Sequence, residues 1–266
     1  MRVTLRFCRC SCSPHQPGPL SPPTGPRILN AVKAASPPDP TPAALTGPLL
    51  APLLALDPRL PDVWTWVHAT MTPDAAHDDA HLVRVARWTL TCAPGLSPAL
   101  AVAAALTHDV INLPKNHPDR AHASTRAAQA TEAALPGLGF TPDDAHEVAL
   151  AVRDHSFSRG ATPETPLGKA LQDADRLDAL GALGVLRVAA VGGRMERALL
   201  HPLDPWAEDR PADDQTFTVD HFFTKLLTLH QTFQTPPGRE EARRRTEFMH
   251  RFLRELGGEL GLPYSN

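Results

Sequence analysis

Three observations predict an all-α fold for this chain of 266 residues. From about residue 60 onward, Ala-, Leu-, Arg- and Glu-rich runs of roughly 12 to 20 residues follow one another, as helix start and stop signals require. Between them stand Pro/Gly breaks: Thr72-Pro73, Pro94-Gly95, Pro114, Pro136-Gly137, Thr162-Pro163, Gly192-Gly193, residues 202–211 and Pro236-Pro237-Gly238. No β-branched alternating run and no Asn-Gly hairpin signal competes with them.

The elements follow in order. Residues 1–45 hold ten of the prolines between Pro14 and Pro42. Each proline removes a backbone donor and restricts its predecessor, so this stretch is expected to be a disordered Pro-rich leader. Residues 46–260 are then one folded domain. Leu49 to Leu56 is apolar and expected to pack on the body, with Pro52 limiting any helix there to a turn or two. His77 and His81 share a face of a helix running to about Ala93. The apolar run Leu100 to Leu106 is a buried helix that ends at His108-Asp109, ahead of Pro114. Lys169 to Ala190 reads as one Ala/Leu/Val-rich helix carrying Asp173, Asp175 and Asp178. In the last segment Phe248, Met249, Phe252, Leu253 and Leu256 form an apolar stripe opposite Arg243, Arg244, Glu247, Arg251 and Arg254.

Composition narrows the function. The 26 Lys+Arg against 29 Asp+Glu give a net charge of -3, which makes no case for a nucleic-acid or membrane surface. Aromatic content of 5% leaves few residues to stack on exposed bases. No apolar run approaches the roughly 20 residues of a membrane span. Cys8, Cys10 and Cys12 crowd the leader near His15, without the paired spacing of structural zinc sites. The expected location is cytoplasmic.

A lone His, a His-Asp pair and a distant Asp remain to be explained. Imidazole nitrogens and carboxylate oxygens suit a divalent cation that keeps water in its coordination sphere. Each part alone has a plainer reading. A His-Asp dipeptide is common, the Asp-rich text around His81 suits a surface, and Asp173 with Arg176 fits an i, i+3 ion pair. The ordered set, with helical context at every member, favours the metal. Carboxylates on an otherwise apolar helix are costly unless paired or metal-bound.

The order His81, then His108-Asp109, then an Asp, with Arg84-Val85 three residues after the first His, resembles the HD-domain metal-dependent phosphohydrolase superfamily. The phrases HDVINLPK, DHSFSRG, QDADRLDALGALG and HFFTKLL are similar to its small bacterial single-domain branch, from about Trp64 to Leu256. The resemblance implies a single HD-domain helical bundle. It makes His81, His108, Asp109 and Asp175 the metal ligands, with Asp175 preferred over Asp173 because the family's ligand precedes Arg-Leu. Several nucleotide-cleaving members of the family it resembles place a catalytic Glu four residues after the His of the pair. Here that position is Asn112, which cannot act as a base.

Phosphoryl transfer spreads negative charge over peripheral oxygens, so fixed cations beside the ion are needed. Lys115, Arg120 and Lys225 lie in segments matching the family pattern and are the candidate phosphate binders. Lys115 and His155 are also candidates for catalysis beside Asp109, with His155 protonating a leaving oxygen. Arg84 is a candidate partner for a carboxylate near the ion, and His221 lies one turn before Lys225.

The function expected is a metal-dependent phosphohydrolase in which metal-activated water cuts a phosphoester or phosphoanhydride bond. Its substrate is a small phosphate compound, which the resemblance makes a nucleotide. The expected cofactor is one Mn²⁺, Fe²⁺, Co²⁺ or Ni²⁺ ion, with Zn²⁺ also compatible. Two rival readings exist. One is a non-catalytic metal- and nucleotide-binding regulatory protein, for which Asn112 argues. The other is a dinuclear-iron HD oxygenase, which needs two further His ligands from among His117, His122, His146 and His155.

Overall fold

Residues 43–71, 78–113 and 119–265 are described in a computed structural model, and among them the regular structure is helical. The only β pairing there is an isolated bridge between Ala198 and Phe217. The expected leader, apart from residues 43–45, lies outside the described residues, as do His77, Lys115 and His117. No described helix is long and apolar enough to cross a membrane.

Helix α1 (Ala43–Leu54) corrects one expectation, because it runs 12 residues with both Pro48 and Pro52 inside it. The two prolines are four apart and exposed, so the carbonyls they leave unbonded lie on the solvent side, where water satisfies them. The other face carries buried Leu53 with Leu50 and Leu54 onto the core, as the apolar text suggested.

Helices α2 (Leu60–Thr70), α3 (Asp79–Cys92) and α4 (Pro98–Thr107) build the centre. Every residue of α4 from Ala99 to Thr107 is buried. Its small side chains let α2, α3, α6 (Pro142–Asp154) and α7 (Pro166–Leu177) close around it. Helix α5 (Ala123–Ala134) lies against α6, whose start is fixed by a capping box between Thr141 and Asp144. The apolar residues form two clusters. Leu60, Leu82, Leu106 and Leu167 belong to the first, and Leu177, Phe222, Leu226 and Met249 to the second. Helix α7 serves both, with Leu171 in one cluster and Ala170 in the other.

The expected continuous helix from Lys169 to Ala190 is two helices. Helix α7 stops at Leu177 and α8 (Gly181–Arg194) begins after a turn. Gly181 sits at φ 75, a left-handed conformation that a side chain would strain. Arg245 of α10 (Pro236–Leu260) donates Nη1 to the Leu177 carbonyl at 2.6 Å, satisfying the end of α7. The break places Asp178 at a helix end, free to turn inward. Beyond α8, buried Asp220 accepts both Nη1 and Nη2 of Arg210 and the backbone N–H of Asp213, fixing the long connection. A π-helical turn (Phe222–Leu226) and the short α9 (Leu227–Leu229) then lead to α10. Helix α10 buries Met249 and Leu253 and leaves Arg243, Arg244, Arg251 and Arg254 in solvent.

Candidate metal centre

Four helices bring the candidate ligands together. His81 lies on the first turn of α3, His108 caps the C-terminus of α4 with Asp109 next to it, and Asp175 lies on the last turn of α7. His155 caps the C-terminus of α6. The carbonyl ends of α4, α6 and α7 thus converge on one spot, and their dipoles favour positive charge there.

The ring geometry is specific. His81 Nδ1 meets Asp178 Oδ2 at 2.8 Å, and His108 Nδ1 meets the Ala105 carbonyl at 2.7 Å. A carboxylate and a carbonyl can only accept, so each Nδ1 is the donor. The two Nε2 atoms then lie 3.2 Å apart in a buried setting. Two ring nitrogens at that distance, with carboxylates beside them, fit a shared cation. Asp109 Oδ2 is 3.2 Å from His108 Nε2 and 3.7 Å from His81 Nε2, while Asp175 Oδ1 is 3.7 Å from His81 Nε2. His81, His108 and Asp175 form one group able to hold a metal ion, and His108, Asp109 and His155 form another. The N/O donors suit a first-row divalent ion.

The field at this spot is cation-seeking. Burial works against charge on His81, but Asp109 and Asp178 outweigh it and raise its pKa to about 9. Burial likewise opposes charge on Asp109, and His108, His155 and His81 together hold its pKa well below the usual carboxylate range. Asp178 is itself gripped by Arg84, with Nε to Oδ1 at 2.7 Å, and by Arg187 Nη1 at 2.8 Å. It therefore remains ionised, overcoming burial. The carboxylate–histidine pair orients the ring and raises its basicity as a ligand.

Asp173 faces elsewhere. It is fully buried and accepts from the backbone N–H of Gln234 and of Thr235 and from Thr235 Oγ1, anchoring the start of α10. His155 donates Nδ1 to the Val152 carbonyl at 2.6 Å, the same local arrangement as His108, and its Nε2 lies 3.6 Å from Asp109. Burial lowers the pKa of His155, but Asp109 and Asp175 bring the net shift upward.

A cleft of about 420 Å³ opens over Asp109, His155 and Asp175. Val188, Val191, Leu226 and Leu229 give it an apolar side, and Arg187, His221 and Lys225 are among its basic residues. Lys225 Nζ sits 4.0 Å over the Phe157 ring, and His221 Nδ1 meets Asp214 Oδ2 at 2.6 Å. Arg120 opens a 3₁₀ turn (Arg120–His122), and its side chain, like Lys115, is outside the described ones. Sequence reasoning missed Arg187, Arg197 and Asp214, and took Arg176 only as an ion-pair partner of Asp173. The signal of the first three is weak, because loops and a helix break separate them from the motifs they join.

Residues 79–180 match the HD domain family, and the chain belongs to it. It is 33% identical to Bacillus subtilis YpgQ over 199 residues, which cover 72% of this chain and 89% of YpgQ. The crystal structure of YpgQ in complex with ADP superposes with a TM-score of 0.59 at 30% identity, covering 76% of this chain and 94% of the other. An HD-superfamily hydrolase from Bacillus thuringiensis is 27% identical with a TM-score of 0.56, covering 75% of this chain and 95% of that one.

Proposed function

We propose that this protein is a metal-dependent phosphohydrolase acting on a small phosphate compound, a nucleotide by chemistry and by kinship. The observation that carries the reading is the pair of buried Nε2 atoms 3.2 Å apart, flanked by two carboxylates at the base of a cationic cleft. A divalent ion held by His81, His108, Asp109 and Asp175 would supply Lewis acidity toward a bound water and a phosphoryl oxygen. The complex of YpgQ with ADP supports a nucleotide as the ligand of this cleft.

The chain's own residues divide the remaining work. Asp178, clamped by Arg84 and Arg187, keeps the His81 ring aimed inward. His155 has its Nδ1 committed to Val152, which leaves Nε2 as the atom that binds the phosphoryl group or delivers a proton to the leaving oxygen. Lys225 meets negative charge from the cleft side, with Lys115 and Arg120 as further phosphate binders. The apolar side of the cleft excludes water around the reacting group.

The rival readings differ in measurable ways. Asn112, standing where nucleotide-cleaving relatives carry Glu, favours a binding protein without turnover. A dinuclear iron site needs two further histidines, and among the described residues His155 is the candidate beside the cluster. His122 is exposed and His146 pairs with Glu132 at the surface. The deciding experiment is a screen of nucleotides and phosphoesters with added Mn²⁺, together with metal analysis. Turnover that is lost in both His108→Ala and Asp109→Ala, with helical circular dichroism retained, supports the hydrolase. Tight nucleotide binding without turnover supports the binding protein, and two irons per chain with oxygen uptake supports the oxygenase.

A further inference from the structure

Helix α8 walls the cleft with Gly184, Arg187, Val188 and Val191, which recur at helical spacing on one face. Arg187 is the charged member of that face, and a chain of short contacts joins it to the metal centre. Its Nη1 donates to Asp178 Oδ2 at 2.8 Å, and the same oxygen accepts His81 Nδ1 at 2.8 Å. On the far side of that ring, His81 Nε2 faces His108 Nε2 at 3.2 Å. A guanidinium of the cleft wall therefore touches the carboxylate that aims His81.

Two arginines hold Asp178, and they hold it differently. Arg84 places Nε on Oδ1 at 2.7 Å and Nη2 on Oδ2 at 2.9 Å, a two-pronged grip made from outside the cleft lining. That pairing by itself balances the carboxylate. Arg187 commits one N–H to Asp178 and keeps its side chain 29% exposed. A guanidinium carries five N–H donors in a planar fork, so one edge can hold a carboxylate while another meets a second anion. Arg176 and Arg197 line the cleft too, but each has an Nε closed off from water, and what water cannot reach a ligand cannot reach. Arg187 is thus the arginine that is both tied to the metal centre and open toward the cleft.

We propose that Arg187 is a positioning residue that binds an anionic group of the cleft's ligand while it holds Asp178, so that occupancy of the cleft and of the metal site are linked through Asp178 and His81. Either occupant orders the same guanidinium and carboxylate, which lowers the ordering cost left for the other. Such a linkage is reciprocal. The inference rests on the reading of the cleft as a phosphate-compound site, but not on bond cleavage.

Titration calorimetry of the full chain tests it, with ADP in EDTA, with Mn²⁺ alone and with ADP after Mn²⁺. Arg187→Gln should weaken metal-free ADP by about 10-fold or more, the scale of a charged hydrogen bond. It should weaken Mn²⁺ alone by less than about threefold, because Arg84 keeps both oxygens of Asp178. Arg84→Gln should do the opposite, weakening Mn²⁺ by about 10-fold and metal-free ADP by less than about threefold. The factor by which Mn²⁺ tightens ADP should fall by at least about threefold in Arg187→Gln, a change that a merely structural role would not produce. Arg187→Lys keeps a charge beside Asp178 and loses the fork, so it should show the same smaller factor and keeps the test decisive if Arg187→Gln fails to fold. Unchanged ADP affinity in the Arg187 variants, or an equal loss in Arg84→Gln, would overturn the assignment and leave the phosphate site standing. Wild-type protein that binds neither ADP nor inorganic phosphate removes the reading of the cleft and the assignment with it. The expected pattern without any turnover retires the hydrolase reading and leaves Arg187 in its role.

Discussion

Asp173 and Asp175 lie two residues apart on α7, and about 200° of helical rotation separates their roles. Asp175→Asn removes charge from the group facing His81 and His108, and the rate should fall by on the order of 10³-fold with weakened metal binding. Asp173→Asn should instead destabilise the fold by about 2 kcal/mol, because the carboxylate accepts three bonds from Gln234 and Thr235 in a buried setting. Steady-state kinetics, metal titration and denaturant melts on both variants separate the effects. An inactive Asp173→Asn of normal stability would exchange the two assignments. Asp178→Ala should raise the metal dissociation constant by about 10- to 100-fold, since it unclamps His81 and strips Arg84 and Arg187 of their shared carboxylate. Equilibrium metal binding measures this directly, and unchanged affinity would leave Asp178 with a purely structural role. The residue types of the candidate site and the spacing of His81, His108-Asp109 and Asp175 are legible in the text of the chain. The partners of Asp178 are not, because Arg84 and Arg187 stand far apart in sequence and meet only after α3, α7 and α8 pack.

At the scale of elements, the helix break after Leu177 is the feature that sequence reasoning passed over. The run from Lys169 to Ala190 has the composition of one helix, and Gly181 and Gly184 inside it look like ordinary tolerated glycines. Packing decides otherwise. A Cβ on Gly184 would lie 2.3 Å from the Ala179 carbonyl oxygen and 2.9 Å from Met249 Cε, so the tight turn between α7 and α8 requires glycine there. Gly184→Ala should cost about 1–3 kcal/mol despite the better helix propensity of alanine, and urea unfolding would show it. A stability equal to wild type would mean that the turn has room to relax. The reverse error occurred at α1, where Pro52 reads as a terminator. Local chemistry alone ends a helix at proline, but an exposed proline face hydrates its unpaired carbonyls while Leu53 on the other face holds the helix to the core.

For the molecule as a whole, the two apolar clusters share α7, so the loss of either should propagate to the other. Removing residues 1–40 should leave turnover and melting temperature nearly unchanged, because that text lacks the apolar periodicity to offset its ordering entropy. A drop of more than a few degrees would show that the leader docks on the body. The truncation also leaves Cys92 as the sole thiol. Cys92 is buried in the second cluster, and burial pushes its pKa up to about 11. It should therefore resist a thiol reagent at pH 8 in the native protein and react at the rate of opening in denaturant. Rapid native labelling would show that the cluster opens locally.

The sequence by itself determined the helical class, several of the breaks between helices, the apolar stripe of α10 and a set of candidate metal-binding side chains. These depend on local periodicity and on the chemistry of residue types, which need no partner to be read. Only the tertiary structure decided that three helix C-termini point at one spot, and that Asp173 holds the start of α10 while Asp175 faces the histidines. Those outcomes depend on which distant faces meet, and on burial that makes a carboxylate such as Asp173 costly unless donors answer it.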